Sequence, residues 1–101
     1  MINESNNDME AMTQIDESIL FKFGFGQKSF GGKYNLHIGE KEKEGHVRIG
    51  YRYINGTHIV DSTSRFMKSG VLDSVGGKIY QGESKRDAMI AIQARINLAA
   101  V

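Results

Sequence analysis

The sequence predicts an α+β fold, in which an antiparallel meander of about four strands carries one C-terminal helix on its apolar face. Three observations predict it. Apolar and polar residues alternate in several short segments, which is the period of a strand with one buried side. Asn55-Gly56 is the strongest two-residue hairpin pattern, because both residues tolerate a positive φ. Near the C-terminus the apolar spacing changes to three and four residues, as in an amphipathic helix.

Four segments have the strand pattern. Large apolar residues alternate from Ile19 to Phe25, and the segment around Leu36 repeats this alternation. The segment around Ile49 has apolar residues on one side and basic residues on the other, and a return strand follows the Asn55-Gly56 turn. The strands are therefore expected at 19–25, 33–39, 46–54 and 57–61.

The register of two hairpins follows from the turn and from burial. A two-residue turn fixes the pairing of the strands that flank it. In the preceding hairpin, core residues must face core residues, which leaves Glu40–Gly45 as the loop. The expected partners are Ile54 and Thr57, Tyr53 and His58, Arg52 and Ile59, Tyr51 and Val60, Ile38 and Val47, Leu36 and Ile49, and Tyr34 and Tyr51. The result is a sheet with one apolar side and one basic side.

Weaker patterns follow Asp61. Residues 62–69 are expected to form two helical turns, residues 71–77 a loop, and residues 78–80 a short strand. Ser84 is a good N-cap with Asp87 three residues later, so a helix is predicted over 84–99. Its apolar stripe fits the apolar side of the sheet, and Ala91, Ala94 and Leu98 widen the stripe on one flank.

The composition fits one small domain. The chain has 101 residues, 40% of them apolar and 25% charged, with no cysteine. Disulfides and thiolate metal sites are therefore excluded. No apolar run approaches the roughly 20 residues needed to cross a membrane, and the N-terminus lacks the pattern of a signal peptide. A cytoplasmic protein without membrane contact is expected.

Charge is distributed unevenly along the chain. Residues 1–18 hold five of the twelve acidic residues and no base, whereas all thirteen lysines and arginines lie in residues 19–101. The expected organisation is an acidic, mobile arm over 1–18, with a short helix at 9–16, followed by one α+β domain over 19–101.

The glycine-rich stretch GFGQKSFGGKY, residues 24–34, resembles a phosphate-binding loop only superficially. A P-loop needs G-x-x-x-x-G-K-[ST] before a helix. After Gly26 the spacing brings Gly32 where lysine is required, and a predicted strand follows. The stretch is interpreted as a connection between two antiparallel strands, not as a nucleotide site.

No catalytic constellation emerges from the predicted strands. His58 falls on the core side, whereas His37 and His46 fall on the basic side, so the three histidines do not gather around one metal ion. His58, Asp61 and Ser62 lie too close along one strand to form a triad. The sequence therefore predicts a protein that is not an enzyme and has no cofactor or metal.

Binding remains as the expected function. The candidate contact is the basic sheet face together with the start of the helix. The predicted binding residues are Lys33, His37, His46, Arg48, Arg52, Lys85 and Arg86. The favoured hypothesis is a small protein-interaction module or inhibitor that occupies an acidic surface of a protein or nucleoprotein complex. Phage and mobile-element proteins that block host defence complexes have this outline, which is an analogy of class alone.

Two alternatives stay open at the level of sequence. The same basic face could contact nucleic-acid phosphates, although Tyr34, Tyr51 and Tyr53 fall on the core side, where they cannot stack on bases. The chain could also form a homodimer by extending its sheet through an open edge strand, with 19–25 as the candidate.

Overall fold

A computed structural model describes residues 13–100 and shows a four-stranded antiparallel sheet with two helices on one side of it. The strands lie in the order in which they occur along the chain, so the sheet is a meander. This confirms the predicted α+β class. The elements are α1 (Glu17–Phe23), β1 (Tyr34–Ile38), β2 (Val47–Ile54), β3 (Thr57–Lys68), β4 (Val71–Gly82) and α2 (Lys85–Ala99).

The predicted register of the first two hairpins is confirmed. Leu36 faces Ile49 and Tyr34 faces Tyr51, while Tyr51 also faces Val60 on its other side. Asn55 and Gly56 both have positive φ, of 49° and 80°, as this tight turn requires. The alternation of side chains then puts one set of residues in the core and the next set on the opposite side of the sheet.

The first predicted strand is wrong, because residues 17–23 form helix α1. Its N–H groups at Ile19 and Leu20 bond to the carbonyl of Asp16, and Gly24 ends it with a φ of 116°. Leu20, which the strand would have put on the polar side, is fully buried, while Phe21 is 45% exposed. Ile19, Leu20 and Phe23 share one helical face. In this short run the apolar residues therefore fit the 3.6-residue period of a helix as well as the two-residue period of a strand. The glycine-rich stretch consequently joins α1 to β1, and not two strands.

Two strands occupy the segment where helical turns and a loop were predicted, so this prediction is wrong. Residues 62–68 continue β3, and residues 71–77 belong to β4 together with the predicted short strand at 78–80. Ser69 and Gly70 form the turn between them, with positive φ values of 53° and 80°. β4 pairs with β3 from His58 to Lys68, and one bulge opposite Val60 and Asp61 leaves Ile79 of β4 without a partner in β3. Long-range pairing therefore overrides a segment whose local sequence is a weak strand former.

Helix α2 lies where the sequence predicted it. The Ser84 hydroxyl accepts a hydrogen bond from the N–H of Asp87 at 3.1 Å. Ala88 and Ile92 are fully buried against the sheet, and Arg95 donates to the hydroxyls of Ser62 and Ser64 on β3. The flank that includes Leu98, expected to widen the buried stripe, is exposed instead.

The segment before α1 packs into the core. Ile15 is fully buried, and its N–H donates to the hydroxyl of Tyr51 at 3.0 Å. That hydroxyl also lies 2.7 Å from Nδ1 of His58, which is buried as predicted. Burial raises the pKa of Tyr51 to about 12. Residues 13–16 are not helical, and together with the start of α1 they belong to the folded domain. Residues 1–12 lie outside the described residues, so for them the mobile acidic arm and the start of the helix at 9–16 stay predictions.

We expect Tyr51→Phe to lower the free energy of unfolding by about 1–3 kcal/mol, because it leaves the buried N–H of Ile15 and the ring nitrogen of His58 without this partner. Denaturant titration measures the change. Tyr34→Phe is the matched control. Its hydroxyl bonds to Gln14 and to the exposed Glu17, which water can solvate, so its loss is expected to be smaller. Equal losses would contradict the role given to Tyr51.

Candidate functional site

The side of the sheet opposite the two helices is called here the outer face. None of the described helices covers it. Strand alternation brings polar and basic side chains from β1, β2 and β3 together there. Its principal members are Lys33, Asn35, His37, Arg48, Arg52, Asp61, Thr63 and Arg65.

Asp61 is the centre of the outer face. One carboxylate oxygen accepts from Nζ of Lys33 at 2.9 Å, and the other lies 3.0 Å from Nη2 of Arg48. The contact of Arg48 with Asp61 is an ion pair, and its hydrogen bonds go to Oδ1 of Asn35 at 3.0 Å and to Oγ1 of Thr63 at 3.1 Å. These bonds hold the guanidinium between β1 and β3, so the cluster is pre-organised.

Opposing effects act on the pKa of Asp61. Burial alone would raise it, but the hydrogen bond and charge of Lys33, together with the charge of Arg48, hold it below its ordinary value. The carboxylate is therefore ionised at neutral pH. One negative charge thus lies between two cations.

Gly50 makes the cluster possible. It faces Asp61 on β3 and Asn35 on β1, directly beneath the charged groups. A Cβ atom at this position would lie 2.4 Å from Cε of Lys33 and 2.5 Å from Oδ1 of Asp61. No side chain fits there without displacing these groups, so glycine lets the ion pairs lie flat on the strand.

A pair of histidines borders this cluster. Nδ1 of His37 lies 3.0 Å from Nε2 of His46, and the rings stack with their centroids 5.2 Å apart. Only one of the two facing nitrogens can carry a proton in this hydrogen bond. The two histidines therefore cannot both be imidazolium ions without breaking this hydrogen bond.

A small cavity of about 140 Å³ opens beside the histidines. Arg65, one of its basic groups, pairs with the exposed Glu42 at 3.0 Å. The cavity lining is His37, Lys41, Glu42, His46, Arg48, Thr63 and Arg65. This composition suits a single small anionic group such as a carboxylate.

The pKa of His37 is lowered, first by burial and then by the positive charges of Lys41, His46 and Arg48. The imidazole is thus held neutral near pH 7. An anion in the cavity would reverse the electrostatic part of this effect and favour the imidazolium.

The structure separates the predicted binding residues into two groups. Lys33, His37, His46, Arg48 and Arg52 come together on or beside the outer face. The other two lie at the start of α2, in the helix layer on the opposite side of the sheet; Lys85 donates there to Oγ1 of Thr13. Lys85 and Arg86 are therefore not part of the outer face, and their role in binding stays a prediction.

Sequence reasoning missed Asp61 as the centre of this site. Extending the register of the Asn55-Gly56 hairpin by one further residue places Asp61 opposite Gly50, between the basic residues of the neighbouring strands. The register could not predict the positions of Arg65 and Lys41, because Arg65 lay in a predicted helix and Lys41 in a predicted loop.

Within residues 13–100, no group of three or more potential ligand side chains is suited to hold a metal ion. Neither of the helices in this part of the chain is long and apolar enough to cross a membrane. Comparisons of the chain with protein-family models, with curated proteins and with solved structures gave no match.

We expect Asp61→Asn to lower the free energy of unfolding by about 1–2 kcal/mol at neutral pH, because it removes the charge that Lys33 and Arg48 share. The folded-state pKa of Asp61 is below 3.8, so this contribution is present above 3.8 and is lost as the pH falls through the lowered pKa. Denaturant titrations from about pH 7 to pH 3 test it. Glu40→Gln, an exposed loop acid, is the control and should change little; a pH-independent difference for Asp61→Asn would contradict the charge argument.

NMR titration of the histidine rings tests the environment of His37. We expect it to titrate below 6.5, and Lys41→Ala to move its pKa upward, because a nearby positive charge is removed. Since the unfolded chain binds more protons between the two pKa values, the contribution of His37 to stability is present above 6.5 and falls as the pH drops through the folded value. Lys68→Ala, at the end of β3, is the control; a shift as large as that of Lys41→Ala would contradict a local effect.

Proposed function

We propose that this protein is a non-enzymatic interaction module that binds an acidic surface of another protein through its outer face. The observation that carries the proposal is the position of Asp61 in the middle of the cations. A face built to bind a polyanion gains nothing from a fixed negative charge at its centre. A protein surface, which carries both signs of charge and polar groups, can match such a mixed pattern.

The geometry of the outer face supports a protein partner in a second way. Gly50 keeps the centre of the face flat, and Asn35 and Thr63 offer amide and hydroxyl groups there. Nε of Arg52 is buried and has no hydrogen-bond partner among residues 13–100. An acceptor on a partner would satisfy it, and leaving such a group unsatisfied is costly.

The cavity beside the histidines supplies an anchor for the proposed complex. A carboxylate from the partner can replace Glu42 as the acceptor of Arg65 and lie next to Arg48 and His37. Charge-assisted hydrogen bonds of this kind are roughly twice as strong as neutral ones, and arginines are frequent among the residues that dominate binding energy. Protonation of His37 adds a cation, so binding is expected to strengthen as the pH falls toward 6.

The inhibitor role expected from the sequence is one form of this function, since a module that occupies an acidic surface blocks that surface for others. Its phage or mobile-element character and its cytoplasmic setting remain predictions.

Nucleic acid is the second candidate ligand, and one observation favours it. The Phe30 side chain is completely exposed in the loop between α1 and β1, near Lys28. An exposed aromatic ring flanked by a lysine can stack on an unpaired base. The buried tyrosines Tyr34 and Tyr51 cannot take part in such stacking.

Fluorescence anisotropy with a labelled glutamate-rich peptide, a single-stranded RNA and a DNA duplex distinguishes the candidates. We expect the peptide to bind and Lys41→Glu/Arg52→Glu to weaken it by about tenfold or more, because both substitutions put negative charge on the contact face. Neither side chain takes part in the Asp61 cluster, so the ion pairs of that cluster are left in place.

The matched control is Lys85→Glu/Arg86→Glu, which makes the same change of charge in the helix layer and should leave peptide affinity within about twofold. Equal effects of the two double variants would show that net charge, not the outer face, drives binding. Salt-sensitive binding of RNA or DNA without binding of the peptide would support the second candidate instead.

A further inference from the structure

Strand β4 forms a long open edge of the sheet. It runs from Val71 to Gly82, and within residues 13–100 it pairs only with β3. Most of its residues are exposed, including Val71 at 65% and Val75 at 62%. An unpaired row of backbone N–H and C=O groups with apolar side chains is a template for another strand.

An apolar groove lies beside this edge, on the side of the helices. Its volume is about 250 Å³, and Ile79 on β4 and Leu98 on α2 form its most apolar walls. These two side chains are 40% and 68% exposed. The remaining lining residues are Ala91, Ala94 and Arg95. The groove is the helix flank that the sequence pattern had assigned to the core.

We infer that a second copy of this chain covers the edge and the groove, by antiparallel pairing of β4 with its own symmetry mate. When two identical strands pair around a two-fold axis, the numbers of the two residues that face each other always add up to the same value. Residues that face each other must also lie on the same side of the sheet, so this value is even. The central residue therefore faces itself. If Val75 is this central residue, the exposed apolar side chains of the two β4 strands lie opposite each other.

The register centred on Val75 accounts for the exposed apolar residues of β4. Val75 faces the same residue of the second copy, and Val71 faces Ile79 at the mouth of the groove. Val75 and Gly77 are both on the helix side, because they pair with Ser64 and Ser62, whose hydroxyls contact Arg95. The apolar pairs thus form on the same side as the groove.

Charge complementarity supports the same register. Asp73 of one copy faces Gly77 of the other, a position without a side chain, about 4.8 Å away across the strands. Beyond Gly77 lies Ser62, whose hydroxyl accepts from Nε of Arg95 at 3.1 Å. Asp73 then lies two strand spacings, roughly 10 Å, from β3 and on the same side of the sheet as the guanidinium that lines the groove. In both halves of the dimer this places opposite charges near each other, without an ion pair.

The extent of the contact is sufficient for a stable complex. Pairing over residues 71–79 extends about 30 Å along the strand and about 20 Å across the sheet and helix layers, or roughly 600 Å² on each copy. The total of roughly 1,200 Å² falls within the range of specific protein interfaces. The dimer does not depend on the proposed function of the outer face, which lies on the other side of the sheet.

Sedimentation equilibrium of the full chain tests the inference. We expect the mass to double from 11.3 kDa with rising concentration. Val75→Lys, which puts two like charges directly opposite each other, should weaken association by about tenfold or more. Ile54→Lys, at an exposed position next to the Asn55-Gly56 turn, is the control and should associate as the parent chain does. A monomer at all concentrations would overturn the inference.

Cross-linking tests the register, and the absence of native cysteine makes it unambiguous. With oxidised glutathione, Val75→Cys should form a disulfide-linked dimer, because residues that face each other across strands are close enough to bridge. Leu72→Cys should not, since its two copies would lie about 20 Å apart along the strand. If the Leu72→Cys variant forms the linked dimer and the Val75→Cys variant does not, the proposed pairing of β4 is overturned.

Discussion

The buried hydroxyl of Tyr51 is the contact on which the arrangement of the fold depends. It accepts from Ile15 in the segment before α1 and lies against His58 on β3, so three separate parts of the chain meet at one oxygen. This contact holds the N-terminal segment on the core side of the sheet, where both helices also pack. The outer face therefore keeps its polar surface, and the sheet has one structural side and one side free for contacts.

The parts of the fold that could be predicted are those in which local geometry and burial agree. Asn55-Gly56 fixes one register through its turn, and the alternation of core residues fixes the neighbouring one. Ser84 and the apolar spacing after it specify α2. The basic side of the sheet follows from the same alternation, so the sequence predicts correctly that Lys33, His37, Arg48 and Arg52 share one side.

The parts that could not be predicted depend on contacts distant in sequence. Residues 17–23 fit a helix and a strand equally well, and the burial of Leu20 decides between them. β4 contains two adjacent glycines and few buried side chains, so only its pairing with β3 makes it a strand. Lys85 and Arg86 looked equivalent to the other basic residues because net charge carries no information about which layer a residue occupies.

The two inferred surfaces belong to one sheet and support each other. A two-fold axis perpendicular to the sheet keeps both outer faces on the same side of an eight-stranded dimer. Asp61 pairs with Lys78, three residues from Val75, so the two Asp61 clusters would lie about 25 Å apart, from strand spacing and rise alone. A partner that repeats its acidic groups at this distance would bind both faces, with a gain from effective concentration. Loss of the dimer would then weaken binding to such a partner while leaving affinity for one acidic group unchanged, because each outer face is complete within a single chain.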